Sequence, residues 1–151
     1  MFLTITEAED KMEIKIFDTL PNDALKIRLE VFEGEQNTPD GVDEIDSFAT
    51  HLVLYNDGRA IATCRISKTE NDGVYLIGRI AVIKELRGQG IGKIIISHAE
   101  EYLQKNDCKI AIIRSRYQVK DFYARCGYEI CSDIVYEGKR PYIWVKKSIL
   151  K

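Results

Sequence analysis

The chain has 151 residues, 45% of them hydrophobic, and its 22 basic and 24 acidic side chains leave a formal charge of −2. A chain of this size can bury one sizeable core without staples, which predicts a single domain over residues 1–151. The charge balance gives no general attraction to nucleic acid or to an anionic membrane surface, so any anionic ligand must be held by local groups.

Met1 to Asp10 carries acidic residues and no basic segment leading into an apolar run, and nowhere do about 18 apolar residues follow one another. Neither secretion nor membrane insertion is expected. Residues 12–17, Met-Glu-Ile-Lys-Ile-Phe, alternate apolar and polar as a half-buried strand does. Pro21 then opens a helix predicted to run to about Phe32, with Leu25, Ile27, Val31 and Phe32 on its apolar side. The polar, acidic stretch from Glu33 to Ser47 contains the turn signal Pro39-Asp40-Gly41 and reads as a surface loop.

Strands follow at His51 to Tyr55 and Ala60 to Ser67, joined by Asn56-Asp57-Gly58, because Asp-Gly tolerates the positive φ angles of a tight hairpin. Asn71-Asp72-Gly73 makes a second turn into Val74 to Val82, completing an antiparallel meander. From Gly90 the apolar period changes. Ile91, Ile95, Ala99, Tyr102 and Leu103 share one helical face, Glu101 and Lys105 pair on the other, and the helix ends near Asn106-Asp107. Lys109 to Ile113 suits a buried strand, Val119 to Arg125 a brief helix stopped at Gly127, and Tyr128 to Val135 and Pro141 to Lys146 two final strands. The predicted fold class is α+β, with a single mixed, mainly antiparallel central sheet flanked by helices.

Cys64, Cys108, Cys126 and Cys131 form no Cys-x-x-Cys pair, which suits reduced thiols and a cytoplasmic location. With only His51 and His98, far apart in sequence, no metal site is expected.

The chemistry-bearing signal is the strand, loop and helix around Arg87-Gly88-Gln89-Gly90-Ile91-Gly92-Lys93. Glycines without Cβ let a phosphate approach the backbone, and the N–H groups and dipole at a helix start favour its charge. The spacing fits neither the P-loop nor the dinucleotide Gly-x-Gly-x-x-Gly, and the upstream meander is no parallel Rossmann unit. Taken alone, such a turn serves geometry as readily as ligand binding.

Gly78-Arg79-Ile80-Ala81-Val82 followed by Arg87-Gly88-Gln89-Gly90-Ile91-Gly92 resembles the fourth strand and pyrophosphate loop of Gcn5-related N-acetyltransferases. Arg87, Gly90 and Gly92 match the fixed positions of that family's Gln/Arg-x-x-Gly-x-Gly/Ala pattern. Phe122-Tyr123-Ala124-Arg125-Cys126-Gly127-Tyr128 resembles its second signature, Phe-Tyr-x-x-x-Gly-Phe/Tyr. Arg28-Leu29-Glu30-Val31-Phe32, Glu35-Gln36, Asp46 and His51-Leu52-Val53 look like the front half of its small bacterial ElaA-like subgroup. The subgroup's usual Pro-His near the last strand stands here as Pro141-Tyr142, which puts a histidine proton acceptor at that position in doubt.

The resemblance implies direct transfer of an acetyl group from acetyl-CoA to a primary amine, without a metal. It implies that Ile80, Ala81 and Val82 meet pantetheine through backbone groups, with the Val82 N–H facing the developing oxyanion, and that Arg87 to Lys93 hold the pyrophosphate. It places Tyr123 as the general acid that protonates the departing thiolate; without the motif, Tyr123 reads as core packing beside Phe122. Arg28, Arg79 and Arg116 fall where some relatives hold an anionic acceptor group, and they serve equally as arginines in ordinary salt bridges. His51, Glu35, Glu44, Asp46 and Tyr142 are candidates for the base, while Tyr117 and Tyr128 read as structural. Relatives also form homodimers through sheet edges. A catalytically degenerate CoA-binding sensor or scaffold is the rival reading, to which the intact glycines and Tyr123 are opposed.

Overall fold

A computed structural model describes residues 11–35 and 42–149. Its described strands are β1 (Met12–Phe17), β2 (Thr50–Asn56), β3 (Arg59–Lys68), β4 (Val74–Val82), β5 (Ile110–Arg116), β6 (Glu129–Ile130), β7 (Val135–Glu137) and β8 (Arg140–Ser148). Its described α-helices are α1 (Asn22–Arg28), α2 (Ile91–Lys105) and α3 (Lys120–Arg125). The strands form one mixed sheet in the order β1-β2-β3-β4-β5-β8-β6, with β7 also paired to β8. The α+β class expected from the sequence is therefore the observed one.

The chain divides into two compact units. One comprises the chain to Ile66 together with Arg79–Ala99, and the other comprises Ser67–Gly78 and Glu100–Lys151.

In the first unit β2 pairs antiparallel with β1 on one side and with β3 on the other. Asn56 pairs with Arg59, which leaves Asp57-Gly58 as a two-residue loop, and both have positive φ, 52° and 83°. That is the turn whose twist matches the flanking strands, as the Asp-Gly dipeptide predicted. β2 and β3 are buried along most of their length, with Leu52, Val53, Leu54, Ile61 and Ala62 at their centre. The Tyr55 hydroxyl donates to Asp23 at 2.7 Å and ties β2 to α1.

The helix predicted through Phe32 changes character at Arg28. From Leu29 to Glu35 it continues as a π-helix, and the Leu29 N–H is shared between the Leu25 and Lys26 carbonyls. Apolar spacing cannot reveal this, because a widened turn keeps a buried stripe while adding a residue. The expected loop from Glu33 to Ser47 also contains order. A 3₁₀ turn at Glu44–Ser47 is closed by a capping box, in which Asp43 accepts from the Asp46 N–H and Asp46 accepts from the Asp43 N–H. The Pro39-Asp40-Gly41 turn signal lies outside the described residues.

In the second unit β5 is central. It runs parallel to the start of β4, with Val74–Leu76 opposite Ile110–Ile112, and antiparallel to β8 along its whole length. Ala111, Ile113, Ile143 and Val145 supply one buried face. The single strand expected over Tyr128 to Val135 is two short ones, β6 and β7. The break has a local cause: the Trp144 N–H donates to the Ser132 hydroxyl at 2.9 Å instead of to a backbone carbonyl. A side-chain acceptor thus replaces one rung of the ladder.

Candidate active site

The glycine-rich turn lies in the first unit, between the end of β4 and the start of α2. Arg87 closes it: its Nε and Nη2 donate to the Val82 carbonyl at 3.1 and 3.0 Å. Two left-handed glycines then turn the chain, Gly88 at φ 78° and Gly90 at φ 80°. An added Cβ would meet nothing within 4 Å at either, so the backbone angle, not crowding, is what demands glycine. The first bond of the helix runs from the Ile94 N–H to the Gly90 carbonyl. The N–H groups of Ile91, Gly92 and Lys93 therefore stand outside the helix's own ladder, at the positive end of a 15-residue helix. Gly88, Gln89 and Gly90 are exposed. A run of free donors on an open, glycine-lined turn suits a pyrophosphate.

A buried charge cluster occupies the same unit. Arg28 is 1% exposed, and its guanidinium forks onto Asp46, Nη1 to Oδ1 at 2.9 Å and Nη2 to Oδ2 at 3.0 Å. Arg65 reaches both acids, donating to Asp46 at 3.0 Å and to Asp43 at 2.7 and 3.1 Å. Arg79 donates to Asp43 Oδ2 at 3.2 Å. Burial alone would raise the Asp46 carboxyl, but bonds from Arg28, the Asp43 N–H and Arg65 outweigh it and hold it well below the usual carboxylate range. At Asp43 burial is likewise overcome, by Arg65 and Arg79. Both acids are thus ionised, and three guanidiniums face two carboxylates. Among the described residues no buried side-chain nitrogen or oxygen lacks a partner.

His51 adjoins the cluster. Its Nε2 lies 3.2 Å from the Asp46 carbonyl, which can only accept, so the neutral ring carries its proton there. Burial lowers its pKa below the ordinary 6.5, and the nearby Arg28 and Arg65 add to the shift. Asp43 and Arg65 had drawn no role from the sequence. The signals were present: Asp43-Glu44-Ile45-Asp46 has the spacing of a capping box, and Arg65 stands in a strand apolar on both faces, where an arginine needs a counter-ion.

Tyr123 and Arg116 belong to the second unit. Tyr123 is the third residue from the end of α3 and is 9% exposed. The helix ends in a Schellman motif: the Tyr128 N–H donates to the Tyr123 carbonyl and the Gly127 N–H to the Ala124 carbonyl, each at 3.0 Å, with Gly127 at φ 94°. The spacing Phe-Tyr-x-x-x-Gly-Tyr thereby acquires a cause. Glycine takes the left-handed position, and the flanking tyrosines meet edge to face with ring centroids 6.3 Å apart. Tyr128 is committed elsewhere, since its hydroxyl donates to Glu100 at 2.7 Å, and burial and that carboxylate push its pKa up. Arg116 is half-buried at the end of β5, opposite Tyr142 of β8, and Arg114 stacks on the Tyr142 ring at 3.8 Å. Of the other base candidates, Glu44 is exposed, and the Glu35 side chain lies outside the described residues.

Residues 17–128 match the model of the Acetyltransferase (GNAT) family. The uncharacterized protein YyaT of Bacillus subtilis is 31% identical over 134 residues, spanning 85% of this chain and 88% of that one. A solved structure described as a candidate N-acetyltransferase from Lactobacillus plantarum superposes with a TM-score of 0.84 at 26% identity, covering 92% of this chain and 99% of that one. The crystal structure of Escherichia coli ElaA superposes with a TM-score of 0.79 at 24% identity, covering 90% and 99%.

Proposed function

The chain belongs to the GNAT acetyltransferase family, and from that premise we propose that it transfers an acetyl group from acetyl-CoA to a primary amine of a small acceptor, within one domain spanning residues 1–151. The observation that carries this reading is the turn at Arg87 to Lys93, where an arginine lock on Val82, two left-handed glycines and the start of α2 make an exposed anion cradle. Ile80, Ala81 and Val82 lead into that turn and would take the pantetheine arm on their backbone.

In the proposed reaction the amine nitrogen attacks the thioester carbonyl. A carbon–nitrogen bond forms and the carbon–sulfur bond breaks, the nitrogen releases its proton to solvent, and the thiolate takes one from the general acid, which solvent then reprotonates. The Val82 N–H is the proposed donor to the developing oxyanion, and Tyr123 the proton source for the thiolate. No base is assigned to His51, because it is 1% exposed and its Nε2–H is directed at the Asp46 carbonyl inside the protein. Arg28, Arg79 and Arg116 are the arginines proposed to meet an acid group on the acceptor; Arg28 and Arg79 also bond to Asp46 and Asp43, and Arg116 stands at the end of β5.

Calorimetry with acetyl-CoA, CoA and ATP tests the donor half, and preferential binding of ATP would overturn it. A thiol-release screen against an amine library tests the transfer; acetyl-CoA binding with no release for any amine would point to a CoA sensor. With an acceptor in hand, Arg116→Ala should raise its KM about tenfold with kcat nearly kept, as expected for one lost charge-assisted pair. An unchanged KM would remove Arg116 from acceptor binding.

A further inference from the structure

Arg79 has φ 49°, the left-handed region, inside the nine-residue strand β4. The other described non-glycine residues with positive φ are Asp57 and Asp107, short polar side chains that tolerate this conformation in turns. Arg79 has neither excuse. By the alternation of the strand it belongs in the row with Ala81 and Ile83, each 3% exposed, yet its side chain is 33% exposed and meets Asp43. A strained residue of this kind persists only where its surroundings over-determine it.

Those surroundings are the charge cluster. Asp43 caps the 3₁₀ turn, takes both nitrogens of Arg65, and through the turn is fixed to Asp46, which is itself gripped by the fork of Arg28. Asp43 is thus a rigid carboxylate, presented from outside β4 to the guanidinium of Arg79. At the far end of the next three residues, Arg87 holds the Val82 carbonyl. Ile80, Ala81 and Val82 are therefore pinned on both sides, by an ion pair before them and an arginine–carbonyl lock after them.

We propose that Asp43 is a positioning residue for the acyl donor: it holds Arg79 in the left-handed conformation, and so sets the course of the backbone at Ile80 to Val82. The inference rests on the reading that this backbone receives the pantetheine arm of acetyl-CoA. It gives the acid-rich capping turn a task on the donor side of the reaction.

The test uses the full chain with Asp43→Asn, Arg79→Gly and the double variant. Acetyl-CoA affinity is read by calorimetry, and the backbone at residues 79–82 by NMR chemical shifts. Asp43→Asn should weaken acetyl-CoA about tenfold, the value of one charge-assisted bond, and shift the resonances of Ile80 to Val82. Glycine adopts positive φ without a pin, so Arg79→Gly alone, and Arg79→Gly added to Asp43→Asn, should bind within about threefold of the parent. Unchanged affinity in Asp43→Asn would overturn the proposal. So would a double variant as weak as Asp43→Asn, because the guanidinium itself would then be the ligand contact. Should Asp43→Asn fail to fold, Arg79→Gly decides alone: tenfold loss of affinity overturns, retention supports. If the parent chain does not bind acetyl-CoA, the donor assignment fails. The NMR comparison still decides whether Asp43 sets the conformation at position 79, and unshifted resonances in Asp43→Asn would overturn that.

Discussion

Removing the Asp46 carboxylate would leave the Arg28 guanidinium buried without its fork and Arg65 with one acid instead of two. Breaking a buried pair from one side typically costs about 3–5 kcal/mol, because the remaining charge has already lost its water. Asp46→Ala should therefore lower the free energy of unfolding, read from urea titration, by an amount of that order, whereas an exposed pair such as Arg59–Glu85 should contribute about 1 kcal/mol or less. Chemistry rather than stability is at stake at Tyr123. If its phenol protonates the thiolate, Tyr123→Phe should lower kcat by about 10²-fold or more while acetyl-CoA affinity stays close to the parent value. Unaltered turnover in a stopped thiol-release assay would take the acid role from Tyr123.

Each signature motif corresponds to the end of a helix. The first opens α2, where Gly88 and Gly90 supply positive φ ahead of the N–H donors of the first turn. The second closes α3, where Gly127 supplies it behind Tyr123. At Gly127 a Cβ would also press on the Lys147 side chain, with Cε 3.2 Å and Nζ 3.4 Å away. That lysine is occupied, donating to Glu100 at 3.0 Å and to the Cys126 carbonyl at 2.9 Å. Gly127→Ala should thus cost about 1–2 kcal/mol from the backbone alone, with a further loss from displacing Lys147, measured by thermal unfolding. These elements were legible because glycine spacing and turn dipeptides act locally. The π-helical run at Leu29–Glu35 and the Ser132 interruption before β7 were not, since each depends on which acceptor a particular N–H finds in the folded chain.

For the whole molecule, the buried titratable groups set a profile of stability against pH. Asp43 and Asp46 have depressed pKa values in the folded state, so their contribution is full above the unfolded value of 3.8 and is lost as pH falls through the folded values. His51 is depressed below 6.5, and an unfolded imidazole gains its proton first, so stability should already decline as pH drops below about 6.5. Tyr55 acts at the other end. Burial and the Asp23 carboxylate push it up to about 12, so its contribution is present below 10 and fades as pH rises through 12. Burial likewise raises the Cys64 and Cys108 thiols and the Tyr128 phenol, so urea midpoints measured from pH 3 to 11 should fall in two acid steps and decline on the alkaline side from about 9, and a flat acid limb between pH 7 and 5 would show that His51 is not buried neutral. The carboxylate step, below about 3.8, should shrink in Asp46→Ala, while the His51 step should persist.

Local chemistry by itself determined the α+β class, the Asp57-Gly58 hairpin, the glycine-rich turn ahead of α2 and the motif around Tyr123, because alternation, helical period and glycine conformation act over a few residues. The charge cluster was decided only by tertiary structure. Arg28, Asp43, Asp46, Arg65 and Arg79 come from a helix, a capped turn and two strands, and sequence spacing does not tell which guanidinium a carboxylate will meet once water is excluded. Folding turned the acidic stretch that read as a surface loop into the anchor of β4, because burying those arginines required carboxylates within hydrogen-bond reach.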